Sequence, residues 1–361
     1  MERVLGNKTP RLSSRMLALD LLRGFFIVVI IIDHLYRWPS LLGYVSGQGE
    51  LWVTAGEGFV IISGLLVGYV RGYKNRELPI FDVAKKIWKR ALLLYGWLVG
   101  LTIIYSALAW YGHFVAPTSW VSVPTGNWLQ LIGESFVVLY RHTWIYFLYF
   151  YVFLLVVSPA FIYLLRRRQN IAFVVLCFVG YVIGRVFGFE WMQWIPLFFL
   201  PAMAGYYLPN IQQRWTHRSK TYRQTLLTLL YSLIGVTVAA SVVCIYIIPS
   251  NPVAIFLNDI MTKQDHFPAW RIPISLLWFV GFAMLFDYFK TPLNRYFGWL
   301  FLPFGMRSLT AYIVHGPVLF LAAAVAPLSP NIWYNTALGV IIIVTTWLIV
   351  TRKFIQKVVP Q

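Results

Sequence analysis

The sequence predicts an all-α integral membrane protein with about ten transmembrane helices and both termini cytoplasmic. Three observations predict it. The 361 residues are 59% hydrophobic, 18% aromatic and only 12% charged, and mean hydropathy is +0.69; a soluble domain is about half apolar and about a quarter charged. Apolar runs near the length needed to cross a bilayer, about 20 residues, recur along the whole chain. The excess of basic residues, a net charge of +18, sits in short clusters between those runs, as in the cytoplasmic loops of membrane proteins. No nucleic-acid-reading motif accompanies the charge, so the partner implied is a lipid bilayer, not nucleic acid.

The predicted spans lie near 16–36, 52–70, 87–111, 143–165, 171–188, 192–209, 225–248, 272–289, 308–327 and 332–350. The first run follows "MERVLGNKTPRLSSR" without an A-x-A-like cleavage site, so it reads as a retained helix and not a signal peptide. The stretch 291–327 is the most broken. Pro292, Pro303 and "PFGMRS" interrupt it, leaving open whether 291–307 spans or is re-entrant. With no long linker and no internal repeat, the expected organisation is a cytoplasmic segment (1–15), one transmembrane domain (16–351) and a cytoplasmic tail (352–361). Cys177 and Cys244 lie inside apolar runs and read as small buried hydrophobes, with no disulfide. With the N-terminus inside, 24 of the 30 Lys and Arg fall on cytoplasmic segments. Only Arg37, Arg141, Arg185, Lys263 and Arg271 fall outside, and Arg23 lies within a span, a bias that supports an even number of crossings.

Residues 20–35, "DLLRGFFIVVIIIDHL", pose the functional question. His34 follows Arg23 by eleven residues, about 16 Å and three turns plus about 20°, so both share one helix face. Asp20 is three residues before Arg23 and a neighbour of it. Gly24 leaves room for another helix to approach. A mid-membrane charge costs at least ~2.5–3.5 kcal/mol, so such a stripe belongs in a bundle interior or a wet cavity, not in lipid. A purely structural Arg–Asp pair with a snorkelling histidine is the plainer alternative.

The stripe, "LALDLLRGFFIVVIIIDHL", resembles the first helix of acyltransferase family 3 membrane proteins, and most closely the OpgC branch linked to succinylation of periplasmic glucans. "AGEGFVIISGLLVGY" places Glu57, Ser63 and Gly64 at positions matching that branch's Glu…Ser-Gly segment. "WIYFLYFYVFLLVVSP", "KQDHFPAWRIPISLLWF" and "FGMRSLTAYIVHGPV" resemble later family segments, so the likeness runs from about residue 16 to 320. One departure is chemical. The family's cytoplasmic Arg-x-x-Arg is here "AKKIWKRALLLYG", where Lys86 and Lys89 hold the spacing beside Arg90. Lysine supplies point charge but not the bidentate fork of arginine. The resemblance implies a multi-pass protein of the cytoplasmic (inner) membrane that transfers a succinyl or acetyl group to a glucan. Acyl-CoA would be co-substrate, with no permanently bound cofactor.

The residues suggest how. His34 beside a carboxylate is a natural general base, because the carboxylate fixes its tautomer and raises its basicity. Asp33 and Glu57 are the candidates for that partner, although Glu57 also suits a helix start near the positive dipole. Arg23 would hold a donor carbonyl, phosphate or carboxylate along a channel. Resemblance favours Lys86, Lys89 and Arg90, with Ser63, as the donor-binding set; ordinary positive-inside charge and close helix packing are the plainer readings. Lys263, Arg271 and His315 are candidate substrate-binding residues, His315 being equally readable as a satisfied core histidine. No metal-ligand spacing, nucleophile elbow or glycine-rich phosphate loop is present, so direct transfer with His34 as base fits better than a covalent acyl-enzyme. A secondary transporter with a buried Arg/Asp/His/Glu relay is the second reading. The missing internal symmetry counts against it. Oligomeric state stays open.

Overall fold

The computed structural model describes residues 11–111, 121–262, 267–352 and 355, with no strand among them. The helices follow from the apolar runs, because backbone groups in lipid must be satisfied within their own segment. The main ones are α1 (Arg11–Leu35), α2 (Ala55–Lys74), α3 (Ile80–Tyr111), α4 (Trp128–Phe136), α5 (Tyr146–Arg166), α6 (Asn170–Phe187), α7 (Ile195–Tyr206), α8 (Lys220–Ile247), α9 (Pro252–Thr262), α10 (Arg271–Tyr288), α11 (Lys290–Met306), α12 (Ser308–Val325) and α13 (Ile332–Thr351). Eight of them, α2, α3, α5, α6, α8, α10, α12 and α13, are long and apolar enough to cross a membrane.

The bundle has two ends, a basal one where α1 begins and a distal one that holds His34. At the basal end Arg166 donates to the carbonyls of Asn75 and Leu78 at 2.6 and 2.7 Å, and Arg307 donates to Val350 O at 3.3 Å. At the distal end Arg37 donates to Ala326 O at 2.7 Å, and Asn335 donates to Pro39 O at 2.9 Å. The expected span 192–209 is helical except at two single-residue breaks, Trp194 and Tyr207, which divide it into the end of Glu190–Gln193, the 12 residues of α7 and the start of Leu208–His217. The ambiguous stretch 291–307 lies within one helix, α11, which packs against α1 with Phe301 at Gly24 and Gly305 at Asp20.

Two glycine seams set the positions of the central helices. A Cβ on Gly24 would collide with the backbone of Phe301, and one on Gly305 with the backbone of Asp20. The expected close approach at Gly24 is thus made by α11. Likewise Gly64 and Gly68 of α2 meet the backbones of Phe198 and Ala202, and Gly205 of α7 meets Leu65. Small residues let helices approach in this way where lipid offers no hydrophobic drive. The plainer reading of the Ser63–Gly64 pair, close packing, is what Gly64 does.

Burial is uneven. The most apolar window of α12 is 72% buried, whereas that of α8 is only 6% buried. α12 is thus a core helix and α8 a peripheral one. Cys177 and Cys244 are buried and unpaired, in separate apolar clusters.

Candidate functional site

Both ends of the α1 stripe meet one helix, α12. Arg23 donates to the hydroxyl of Ser308, and His34 Nδ1 lies 2.8 Å from His315 Nε2. Ser308 and His315 are seven residues apart, two helical turns of α12. The predicted common face of Arg23 and His34 is therefore the α1–α12 seam. His315 is buried and its Nδ1 bonds the carbonyl of Tyr312. Tyr312 in turn donates its hydroxyl to Trp144 O at 3.1 Å. His34 itself is half-buried, and its Nε2 makes no hydrogen bond among the described residues.

The expected carboxylate partners of His34 are elsewhere. Asp33 is the next residue along α1, and successive helical side chains point about 100° apart. Its Oδ1 is buried without a hydrogen-bond partner among the described residues. Glu57 is 1% exposed. It accepts from the backbone N–H of Thr54 at 2.8 Å and from the Thr54 hydroxyl, closing a capping box at the start of α2. Its other oxygen pairs with Arg271 at the start of α10. The proposed catalytic Glu57 and the proposed substrate-binding Arg271 thus neutralise each other and tie α2 to α10. The partner of His34 is His315, in place of the expected Asp33 or Glu57. Lys263 lies outside the described residues.

The other end is cationic. Arg23 pairs with Asp20 at 3.7 Å. Arg90 of α3 and Tyr151 of α5 act electrostatically on both Arg23 and Arg71. Arg23 of α1 and Arg71 of α2 thus both lie within electrostatic range of Arg90 of α3, and among the described residues Asp20 is the carboxylate paired with Arg23. The Nε groups of Arg23 and Arg90 are buried without a hydrogen-bond partner, and a buried donor left unmade costs about 1–3 kcal/mol. The chemistry that would satisfy them is an anion with several acceptor oxygens. Arg71 sits on a π-helical turn, Val67–Lys74, that closes α2, a distortion often found at functional sites.

The expected donor set divides accordingly. Arg90 extends the buried stripe Val83, Ile87 and Leu94 of α3, whereas Lys86 and Lys89 are exposed. Ser63 is buried in α2, and no contact joins it to the guanidiniums. Arg71 and Tyr151 were not singled out by the sequence. The signal for Arg71 was present, a cation just inside the basal end of an apolar helix, but it merged with the positive-inside charge around it.

A separate cavity of about 110 Å³ lies on another side of α1, lined by Phe25, Phe26, Val29, Thr54, Ser275 and Phe279 among others. Its walls are apolar, and neither Arg23 nor His34 lines it. Among the described residues, no group of three His, Cys, Asp or Glu could hold a metal ion.

A family model described as OpgC protein matches residues 15–357. No curated protein and no solved structure matches the chain.

Proposed function

The chain is a multi-pass membrane protein of the OpgC family, and from that premise we propose that it is a membrane-bound O-acyltransferase. It moves an acyl group, succinyl or acetyl, from a CoA thioester to a hydroxyl of an extracytoplasmic glycan. The basal end is cytoplasmic, and the membrane is the cytoplasmic (inner) one. The observation that carries this reading is the single α1–α12 seam, with cationic groups at one end and an imidazole with a free nitrogen at the other.

The donor's phosphates rest on Arg71 and Arg90 at the basal end, with Lys86 and Lys89 as surface charge that raises local donor concentration. Arg23, deeper along the seam, holds an oxygen of the acyl portion. At the distal end the acceptor hydroxyl lies against His34 Nε2. As the sugar oxygen attacks the thioester carbonyl, His34 takes the hydroxyl proton. The C–O bond forms, the C–S bond breaks, and the proton passes from the imidazolium to the departing thiolate. The chemistry is redox-neutral and needs no bound cofactor.

The test is acyl transfer by the purified full chain in detergent, with succinyl-CoA or acetyl-CoA and a β-glucan acceptor, read by mass. A glucan gain of one acyl mass per transfer is the expected result. Failure with both donors, together with acyl or anion movement only in sealed vesicles, would favour the transporter reading instead.

A further inference from the structure

We propose that His315 is a positioning residue that fixes His34 in the one tautomer able to act as a base; the inference rests on the acyl-transfer reading above. It follows from donor and acceptor bookkeeping along three residues. The carbonyl of Tyr312 can only accept a hydrogen bond. His315 Nδ1 bonds that carbonyl, so it carries the hydrogen. A neutral imidazole has one N–H, so His315 Nε2 presents a lone pair. At 2.8 Å from that lone pair, His34 Nδ1 must be the donor. His34 Nε2 is thereby left with its lone pair outward. That is the atom without a hydrogen bond among the described residues.

The chain of bonds has a fixed end. Tyr312 is held by its hydroxyl on Trp144 O at 3.1 Å and by its ring against Phe147, with centroids 5.5 Å apart. His315 is buried in the most buried of the candidate spans. The tautomer is therefore set by the backbone of α12, not by solvent. The arrangement also suits the charged intermediate. When Nε2 takes a proton from the acceptor hydroxyl, the imidazolium still donates through Nδ1 to His315, and its second N–H faces the sulfur that receives the proton. A carboxylate in this place would raise the basicity of His34 further. A neutral imidazole orients the base without adding a buried charge, whose cost in lipid would be several kcal/mol.

The experiment compares His315→Leu, His315→Gln and His34→Ala in the purified full chain with acyl-CoA and glucan. His315→Leu removes the acceptor, and kcat should fall about 10²-fold or more, up to the loss seen in His34→Ala, with both KM values within about threefold, as when a histidine base is held in the wrong tautomer. His315→Gln offers an amide oxygen to His34 Nδ1 and should recover at least about tenfold over the Leu variant. A Leu variant with wild-type kcat, or a loss carried by KM that Gln does not relieve, overturns the proposal. Should the Leu variant fail to fold, 15N spectra of His34 in the wild-type protein decide. A protonated Nδ1 with a bare Nε2 is expected, and the reverse overturns it. Activity in His34→Ala removes the base reading itself. An inactive His34→Ala beside a fully active His315→Leu removes the tautomer assignment alone.

Discussion

The two ends of the α1 stripe solve opposite problems. At the basal end Arg23 and Arg71 both lie within electrostatic range of Arg90, and Asp20 is the carboxylate paired with Arg23 among the described residues. At the distal end Glu57 is neutralised by Arg271. What faces the α1–α12 seam there is a pair of imidazoles. A site that holds a polyanion needs uncompensated positive charge. A site that lends a proton acceptor needs a neutral nitrogen and a fixed orientation. On the proposed reading one helix serves both, because an apolar background isolates its polar residues from each other over about 16 Å.

The largest expected break of that contrast is at the distal end. His34→Ala should lower kcat by about 10²–10⁴-fold, the range a general base supplies, while the protein still inserts and purifies. An activity within threefold of wild type would place the chemistry elsewhere.

Next in size is a structural effect at the same end. Removing one partner of the buried Glu57–Arg271 pair leaves an uncompensated charge, so Arg271→Met should destabilise by about 3–5 kcal/mol. Thermal or denaturant unfolding in detergent measures it. The matched double variant, Glu57→Gln with Arg271→Met, should recover part of the loss. Equal losses in single and double variants would mean the pair does not couple α2 to α10.

A smaller effect is expected near the basal end. Gly305→Val would drive a side chain into the backbone at Asp20, and overpacking of this kind costs about 1–3 kcal/mol. Because α11 presses on α1 between Asp20 and Gly24, donor affinity should weaken along with stability, and His34-dependent chemistry should be unaffected at saturating donor.

The smallest effect concerns acid. His142 lies before α5, outside the spanning segments, packed against Tyr105 and Trp144. Burial pushes it down to about 4. A histidine with a depressed value is neutral in the fold but takes a proton in the unfolded chain below its ordinary value near 6.5. Stability should therefore be full above pH 6.5 and decline as pH falls toward 4. His142→Phe should flatten the melting temperature over that window. An unchanged slope would assign the acid loss to other groups.

Much of this was legible in the sequence, and the remainder fails for physical reasons. Arg23 and His34 stand out because polar residues are rare in an apolar helix, and the wheel places them on one face. The wheel does not say which helix that face meets. His315 is 281 residues from His34, so its role was open until packing paired them. The role of Glu57 was readable, because Thr54-Ala-Gly-Glu57 is a capping box in form, yet proximity in depth to His34 favoured a chemical reading. Arg90 was separable from Lys86 and Lys89 by helical period alone, since it falls on the buried stripe with Val83, Ile87 and Leu94. The breaks around α7 were the hardest to see, because the apolar run continues through Trp194 and Tyr207 and helix resumes directly after each.

Donor binding measured apart from transfer tests the division of labour between the two ends most directly. A non-reactive thioether analogue of acyl-CoA, titrated onto the purified wild-type chain, His34→Ala and Arg90→Gln, supplies it. His34→Ala should bind the analogue as tightly as wild type, and Arg90→Gln at least about tenfold more weakly, a loss of about 1.4 kcal/mol. Loss of binding in His34→Ala with full binding in Arg90→Gln would contradict it.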